Sequence, residues 1–443
     1  MTVARTRRQI LSGAGTAGLA VAAVACGAPS AGESQPAATK RDVSLKVVAR
    51  TGSEAEMWPI RIPAFEAANP GLKAEAELHA GDIQEKIATL VASGTIGDVV
   101  HTHPSQAQPQ RLFLGGSMKA LDPFIAKDRV DLKQWYPAAI ESGRLDNKVI
   151  ALPFKGKMAT VALFYNQTLF EQAGIKPPDL NTTLNDFTEM AARLTRPDGS
   201  QWGIAGTLPT GMRSFTGTIR RWNAETLTKD SKRATLDTAE ARAAWGWFYD
   251  AAHRRKIFDP NGNDQELFRT GKAAMLIHRD FNEKTTIHPA AQTQGFTYSA
   301  TLIPKGPTGR RGGIWIPDAM QLSSTSPNPD EAWLLLKWLT DRETGLALAQ
   351  QKTGSTTPGA RPDVYNDPAF LNHDVFPRIL QELDRDSNAL PEVYQVPGNY
   401  KIQEFDAVLN AAITKVRKNE AEPTPAFLKT LNEELQNVLD QAR

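Results

Sequence analysis

Hydrophobic and polar residues alternate along the chain in a pattern that predicts strands separated by helices. Residues 43–47 alternate as in a half-buried strand, and residues 53–68 are helix-like, with two prolines that predict an irregular start. A second short strand follows at 73–78, then a helix capped by Asp82 and a strand from residue 98. This β-α-β-α-β order predicts a mostly parallel sheet covered by helices on both faces.

The same order repeats further along the chain, which predicts a second α/β lobe. No tandem sequence repeat accompanies it. The remaining predicted elements are strands at 159–165, 273–277 and 314–322, a helix capped by Thr183, a helix from Asn328 through about Gln350, and an amphipathic helix at 423–442.

The N-terminal segment has the pattern of an export signal. Arg7-Arg8 precede an apolar, small-residue stretch of 16 residues at 10–25, shorter than the roughly 20 that a membrane span needs. Residues 1–25 therefore predict a signal peptide, and the paired arginines resemble a twin-arginine signal. Cys26 follows a run similar to a bacterial lipobox, although Ala23 replaces the usual larger aliphatic residue. We predict lipidation at Cys26, with a buried structural cysteine as the alternative, and a flexible tether over 26–41.

Composition and charge exclude several classes of protein. The chain of 443 residues has 51 Lys and Arg against 49 Asp and Glu, and three of the arginines lie in the predicted signal peptide. The mature chain is thus balanced and has no bulk attraction to nucleic acid or to an anionic membrane. A single cysteine excludes an internal disulfide framework and a cysteine-cluster metal site.

Motifs for catalysis are absent from the sequence. There is no His-Glu-x-x-His, Gly-x-Ser-x-Gly or Walker A spacing. His101 and His103 lie two apart on a predicted strand, which is a possible metal pair, but no third ligand is evident. We therefore predict no metal, no cofactor and no catalytic residue. A hydrolytic pair of carboxylates stays open, because sequence spacing does not fix their separation.

Five segments of the chain match a known family in their order and spacing. The segments are Gly94-Thr95-Ile96-Gly97-Asp98-Val99-Val100, Leu121-Asp122-Pro123-Phe124-Ile125, Leu152-Pro153-Phe154 with Phe164-Tyr165-Asn166, Phe268 to Met275, and Ile303-Pro304-Lys305-Gly306-Pro307 with Lys337-Trp338-Leu339-Thr340. Together they resemble the family 1 extracellular solute-binding proteins of ABC transporters, which include the maltose- and other oligosaccharide-binding proteins. Gly97 departs from the family's usual proline, and residues 180–183 replace its Pro-x-Thr-Trp.

The resemblance implies a two-lobed periplasmic-binding-protein-like fold of type II, each lobe a mixed, mostly parallel sheet flanked by helices. It places 42–153 with 310–354 in lobe 1 and 154–309 with 355–443 in lobe 2. It also implies closure around a small solute and delivery to the permease subunits of an ABC importer. We expect a monomer outside the cytoplasm, held to the cell membrane by the lipid anchor, with no nucleic-acid partner.

A closing cleft is expected to bind its solute with aromatic faces and a few polar groups. The first strand-to-helix connection, the residues after the 98–100 strand and the loop after the 273–277 strand are expected to face this cleft. In related sugar binders that last loop carries a Gly-x-Trp-type contact. The predicted ligand-binding residues are Glu54, Trp58, His103, Lys155, Trp222, Arg279, Asp280, Phe281, Trp315 and Gly354.

The leading hypothesis is a receptor for a carbohydrate, either an oligosaccharide or a sugar derivative. The arginine and aspartate at 279–280 leave open a charged or derivatised solute, such as a glycerophosphodiester, an amino sugar or a polyamine. A secreted polysaccharide hydrolase and a scaffold lipoprotein are less favoured alternatives.

Overall fold

The computed structural model describes residues 42–52, 54, 56–80, 83–104, 108–206, 211–228, 230–258, 264–278, 281, 284–351, 357–388 and 401–441. The predicted signal peptide and the lipidation site at Cys26 lie outside the described residues, as do Arg279, Asp280 and Gly354. Within the described residues, no helix combines the length and the apolar character that crossing a membrane requires.

The strands form two larger sheets and one short hairpin. The strands are β1 (Val43–Arg50), β2 (Leu72–His79), β3 (Val99–Thr102), β4 (Arg144–Leu145), β5 (Lys148–Val149), β6 (Leu152–Ala159), β7 (Ala162–Asn166), β8 (Trp202–Ala205), β9 (Ala273–His278), β10 (Tyr298–Leu302) and β11 (Ile314–Leu322). The first sheet has the order β2-β1-β3-β11-β6, the second has the order β10-β7-β9-β8, and β4 pairs with β5.

The pairing within these sheets is mixed. Strand β1 is parallel to both β2 and β3, whereas β11 is antiparallel to both β3 and β6. In the second sheet β7 is antiparallel to β9 and β10, and β8 is parallel to β9. The predicted mixed α/β class is confirmed, with more antiparallel pairing than the sequence indicated, because β11 enters the first sheet against the direction of its neighbours.

Strands β6 and β11 continue beyond the first sheet as a two-stranded ribbon. Strand β11 pairs with β3 only over 319–322, but it pairs with β6 from Ile314 to Met320. The ribbon leaves the sheet at the edge where β1 and β3 end, and β7 of the second sheet begins two residues after β6. The chain therefore crosses from the first sheet to the second sheet at this edge.

Helices flank both sheets and match much of the predicted pattern. Short 3-10 helices lie at Leu132–Gln134 and Arg220–Trp222, and a π-helical turn lies at Asp250–Arg254. The α-helices are α1 (Trp58–Ala68), α2 (Ile83–Ala92), α3 (Gln108–Leu114), α4 (Asp122–Asp128), α5 (Pro137–Ser142), α6 (Gln167–Ala173), α7 (Leu184–Leu194), α8 (Met212–Ile219), α9 (Ala239–Tyr249), α10 (Asp264–Arg269), α11 (Lys284–Gln294), α12 (Pro329–Leu339), α13 (Arg342–Ala349), α14 (Pro362–Tyr365), α15 (Pro368–Leu371), α16 (Arg378–Asn388), α17 (Ile402–Arg417) and α18 (Pro425–Asp440).

Side-chain caps explain where two of these helices begin. Thr183 caps α7 in a reciprocal capping box with Asp186, as the sequence predicted. The predicted single helix from Asn328 to about Gln350 is wrong, since α12 ends at Leu339 and α13 begins at Arg342. The carboxylate of Asp341 accepts a hydrogen bond from the amide of Thr344 and so starts a new helix.

The C-terminal part of the chain packs in two places. Helices α17 and α18 bury Leu409, Ile413, Leu431 and Leu435 in the same hydrophobic cluster as α7, α8 and α9. Helices α14 and α15 instead pack against α13, and the hydroxyl of Tyr365 donates to the carbonyl of Gly156 in the ribbon at 3.1 Å. The assignment of all of 355–443 to lobe 2 stays a prediction. Tyr365, near the start of this segment, contacts the ribbon.

Candidate functional site

A group of charged and polar side chains lies where the ribbon leaves the first sheet. Arg50 is the last residue of β1, and His101 and His103 lie at the end of β3. Lys155 and Asp318 are directly paired across the ribbon. Together with Glu54, from the connection between β1 and α1, these residues form what we call the polar cluster. The carboxyl ends of parallel strands are a common place for a binding site.

An irregularity in the ribbon helps to form this cluster. Asp318 pairs with Lys155, but the next residue, Ala319, pairs with Pro153, so Phe154 is an extra residue in β6. Such a bulge re-aims side chains, and bulges are frequent beside binding sites. The ring of Phe154 lies 5.4 Å from that of His101, and Lys155 also reaches the cluster. Because of the bulge, the consecutive residues Phe154 and Lys155 both contact the polar cluster.

Two cations and two carboxylates neutralise each other in the polar cluster. The ammonium of Lys155 contacts Glu54 and lies 3.1 Å from Oδ2 of Asp318. The guanidinium of Arg50 lies 3.2 Å from Glu54 and 3.8 Å from Asp318. Glu54 is 0% exposed, Lys155 6% and Asp318 8%, so the two pairs of Lys155 are buried, whereas the side chain of Arg50 is 32% exposed. Their geometry is therefore set by the surrounding fold rather than by solvent.

The two histidines extend this network in different ways. Because an ionised carboxylate can only accept, Nδ1 of His103 donates to Oδ1 of Asp318 at 2.7 Å. Nε2 of His101 lies 3.5 Å from Oδ2 of the same carboxylate, which is too long for a strong hydrogen bond. His101 is fully buried, and neither of its ring nitrogens has a hydrogen-bond partner among the described residues.

An aromatic pair borders the cluster. Trp58 stacks on Phe154 with ring centroids 6.0 Å apart and an angle of 21° between the planes. The indole Nε1 of Trp58 is buried and, like His101, has no hydrogen-bond partner in the part of the chain that the structure describes. Buried polar groups are normally satisfied by a partner, a water molecule or a ligand. The site therefore holds unused hydrogen-bonding capacity next to an apolar face.

Burial and charge shift the pKa values of three groups in the cluster. Burial alone would raise the pKa of Asp318, but the ammonium of Lys155 and the hydrogen bond from His103 outweigh it and hold the pKa well below its ordinary value. Burial lowers the pKa of Lys155 to about 8, although Asp318 opposes the shift. Burial likewise lowers the pKa of His101. At neutral pH the cluster thus combines an ionised aspartate with a neutral His101.

The depressed pKa of Lys155 predicts how stability depends on pH. Between pH 8 and the unperturbed value of 10.5, the folded chain has released this proton while the unfolded chain still binds it. The Lys155 contribution to the free energy of unfolding therefore rises with pH across this window, by on the order of 3 kcal/mol. We expect urea denaturation at pH 7.5, 9 and 10 to show this rise relative to Lys155→Met. An identical pH profile in the two proteins would contradict the assignment.

Three of the side chains also have the chemistry of metal ligands. Ligand atoms of His101, His103 and Asp318 lie within 4.8 Å of one another, so Asp318 is the third partner that the sequence did not reveal. However, the carboxylate of Asp318 is already neutralised by Lys155 and Arg50, and a metal ion would bring another positive charge beside that ammonium. We therefore assign no metal, and its absence stays a prediction.

The structure brings together four of the predicted binding residues. Glu54, His103 and Lys155 belong to the polar cluster, and Trp58 borders it. Arg50, His101 and Asp318 were not among the predicted binding residues. The sequence did contain one signal for Asp318, which is an acid within the apolar strand predicted at 314–322. A carboxylate that is buried in such a strand needs a partner.

Three other predicted residues pack against aromatic side chains elsewhere. Trp222 is 5% exposed and lies 5.7 Å from Trp247, measured between ring centroids. Phe281 lies 6.0 Å from Phe164, and Trp315 lies 5.2 Å from Tyr136. All three rings are buried, which accounts for them as packing residues. A contact between any of them and a solute stays a prediction, as it does for the undescribed Arg279, Asp280 and Gly354.

Known proteins with the same fold were found in the solved structures. A sugar-binding protein of Xanthomonas citri matches with a TM-score of 0.75 and 17% identity, over 90% of this chain and 97% of that one. An ABC substrate-binding protein of Listeria monocytogenes in complex with cycloalternan matches with a TM-score of 0.74 and 17% identity, over 90% and 99%. At this identity the likeness establishes the fold, and the predicted two-lobed class is confirmed.

Sequence relatives and a family model agree with the fold. A binding protein of Brucella abortus (strain 2308) is 26% identical over 375 residues, which are 80% of this chain and 87% of that protein. The mannitol-binding protein of Pseudomonas aeruginosa is 26% identical over 291 residues, 59% of this chain and 61% of that protein. The model of the bacterial extracellular solute-binding proteins matches residues 61–376. The chain therefore belongs to the bacterial extracellular solute-binding protein family.

Proposed function

We propose that this protein is a receptor that captures a neutral polyhydroxylated solute, a sugar or a sugar alcohol, at the polar cluster and delivers it to an ABC importer. The solute lies between the two lobes, and its binding favours the closed state through differential affinity. The protein carries out no chemistry on the solute. Family membership supports the binding role, and the cluster supports the class of solute.

The unused hydrogen-bonding groups at the site carry this proposal. Nε1 of Trp58 and both ring nitrogens of His101 are buried without a partner among the described residues. Hydroxyl groups both donate and accept, so a polyol can serve the indole donor, the imidazole and the carboxylates at once. The stacked rings of Trp58 and Phe154 offer an apolar face for C–H groups. Few other solutes combine these two properties.

The relatives support a neutral, hydroxylated solute. The mannitol-binding protein of Pseudomonas aeruginosa and a lactose-binding protein of Rhizobium radiobacter are named for such solutes. One structural neighbour was solved with cycloalternan and another with α-D-tagatose. These solutes range from a sugar alcohol to an oligosaccharide, so they support the chemical class and leave the size of the solute open.

Charge balance disfavours the alternative of a charged solute. Arg50 and Lys155 are matched by Glu54 and Asp318, so the polar cluster presents no excess charge of either sign. A bound carboxylate or phosphate would compete with Asp318 for Lys155, and a bound amine would compete with Lys155 for the carboxylates. A neutral polyol keeps these pairs intact.

The same pairs disfavour hydrolysis of a polysaccharide. A glycosidase needs one carboxyl group that is protonated and can act as the acid. The pKa of Asp318 is held well below its ordinary value, and Glu54 is ion-paired with Lys155. Neither group has the environment that keeps a proton at neutral pH. We infer that the carboxylates accept hydrogen bonds from the solute and do not protonate it.

Export and anchoring complete the proposal. The predicted signal peptide at 1–25 and lipidation of Cys26 would place the receptor outside the cytoplasm and hold it at the membrane surface. The predicted tether at 26–41 would let the two lobes reach a permease. We propose a monomer, because one chain supplies every side chain of the polar cluster. Labelling with radioactive palmitate, lost in Cys26→Ser, tests the anchor.

A ligand panel tests the solute class. We expect mannitol, lactose or a maltooligosaccharide to raise the unfolding free energy by about 2.7 kcal/mol at a hundred times its dissociation constant. The measurement is thermal unfolding of the purified protein with neutral sugars and polyols in one set, and amino sugars, glycerophosphodiesters and polyamines in another. Stabilisation by the charged set alone would contradict the proposal, as would release of a product from a stabilising glycoside.

A further inference from the structure

Arg221 is a fully buried arginine whose guanidinium has no hydrogen-bond partner in the described part of the chain. It lies in the 3-10 helix Arg220–Trp222 that follows α8, and its exposed fraction is 0%. Its Nε, Nη1 and Nη2 atoms have no hydrogen-bond partner among the described residues. A guanidinium has five N–H donors and stays charged at neutral pH, so its burial without acceptors is strongly unfavourable.

The neighbouring arginine shows how this charge is normally accommodated. Arg220 donates to both carboxylate oxygens of Glu225 and to the carbonyl of Gly313 at 3.1 Å. Arg221 has no such carboxylate in the described part of the chain, although it is the more deeply buried of the two. None of the described residues therefore supplies Arg221 with the kind of acceptor that Arg220 has.

A second arginine, Arg311, lies in the loop that covers Arg221, where a Cβ atom at the next residue, Gly312, would lie 3.2 Å from the main-chain nitrogen of Arg221. Arg311 donates only to main-chain carbonyl groups, those of Ile303 and Leu180, within the described residues. Burial lowers the pKa of Arg221 to about 10, and the like charge of Arg311 adds to this effect. Two guanidinium groups thus repel each other at a place where neither is paired with a carboxylate of the residues that the structure describes.

The covering loop is held to the turn by close main-chain contacts. The hydroxyl of Thr308 donates to the carbonyl oxygen of Arg221 at 2.9 Å. A Cβ atom at Gly306 would lie 2.2 Å from that same oxygen, so no larger residue fits there. Residues 305 and 307–310 of this loop are exposed to solvent. Movement of this surface loop would open a path from solvent to Arg221.

We propose that Arg221 and Arg311 form a binding site for a tetrahedral oxyanion, of the phosphate or sulfate class. Such an anion accepts paired hydrogen bonds from a guanidinium and neutralises both charges. The loop at 303–313 connects β10 with β11 and so joins the two sheets, which places the anion beside this connection. The site is separate from the polar cluster and does not depend on the identity of the transported solute.

Thermal unfolding of the full protein in sodium phosphate, sodium sulfate or sodium chloride at matched ionic strength tests this site. We expect a saturable rise in Tm, on the order of 3–5 °C, with the two oxyanions and not with chloride. Arg221→Met should lose this rise and should unfold without oxyanion at a temperature no lower than wild type, because an unpaired buried charge is gone. Arg254→Gln, which alters an exposed arginine paired with Glu422, should keep the full rise.

Further variants keep the test decisive if Arg221→Met fails to fold. Arg311→Gln should reduce the rise, and Arg221→Lys should reduce it because an ammonium lacks the paired geometry. Glycerol phosphate distinguishes a free ion from the anionic group of a larger molecule. A half-saturating concentration below that of inorganic phosphate indicates the anionic group of a larger molecule. An equal half-saturating concentration indicates the free ion. An equal rise in chloride, or a full rise in both Arg311→Gln and Arg221→Lys, would overturn the proposal.

Discussion

Replacing Asp318 with Asn should weaken solute binding by at least about 30-fold and destabilise the free protein. The substitution keeps the shape of the side chain but removes the charge that pairs with Lys155 at 3.1 Å and accepts from His103 at 2.7 Å. Breaking a buried ion pair costs about 3–5 kcal/mol of folding free energy, because the remaining charge stays buried. Truncating one partner of a buried pair at a binding site costs about 2–5 kcal/mol of binding free energy. Calorimetric titration and urea denaturation measure the two effects.

Asp330→Asn is the matched control for this experiment. Asp330 pairs with Lys127 at 2.9 Å, but the two side chains are 64% and 62% exposed. An exposed pair contributes little, so stability should change by less than about 1 kcal/mol and affinity should not change. Wild-type affinity in Asp318→Asn would show that the polar cluster does not hold the solute.

Trp58→Ala should lower the free energy of unfolding by about 3–5 kcal/mol and abolish detectable solute binding. Trp58 is 3% exposed and stacks on Phe154, so its loss leaves a cavity beside the polar cluster. Trp58→Phe separates the two roles of the indole. It keeps an aromatic face but removes the Nε1 donor, and we expect affinity to fall about tenfold with little change in stability.

Trp245→Phe controls for the loss of a buried indole donor. Nε1 of Trp245 is likewise buried without a partner among the described residues, but the ring packs against Phe215 in the cluster with α7 and α9. This variant should bind the solute with wild-type affinity. If Trp58→Phe also binds normally, the indole of Trp58 does not donate to the solute, and the aromatic face alone would remain as its role.

Much of the fold could be predicted from the sequence because its periodicity is local. Strand β11 has the predicted limits, Ile314–Leu322, and the threonine cap at residue 183 starts α7. Strand β6 was not predicted, because its Pro153, Gly156 and two lysines resemble a loop. Those residues are accommodated by the bulge and by close contact of Gly156 with Trp315, which arise only once the ribbon has formed.

The candidate site was predictable in part, for a topological reason. Residues that follow parallel strands meet at one edge of a sheet, and this rule pointed to His103, while the family resemblance pointed to the connection that contains Glu54 and Trp58. Asp318 was missed because β11 is antiparallel, so its place at the same edge follows from long-range pairing with β3 and β6. Trp222 shows what spacing does not reveal, since its burial among other aromatic residues depends on tertiary packing, and its contact with a solute stays a prediction.

A crystal structure of the protein with the most stabilising sugar or polyol tests the central claim most directly. We predict that hydroxyl groups of the solute lie within hydrogen-bond distance of Asp318, His101 and Nε1 of Trp58, with its apolar face on the aromatic pair. A solute bound between the lobes without contact to the polar cluster would contradict the account.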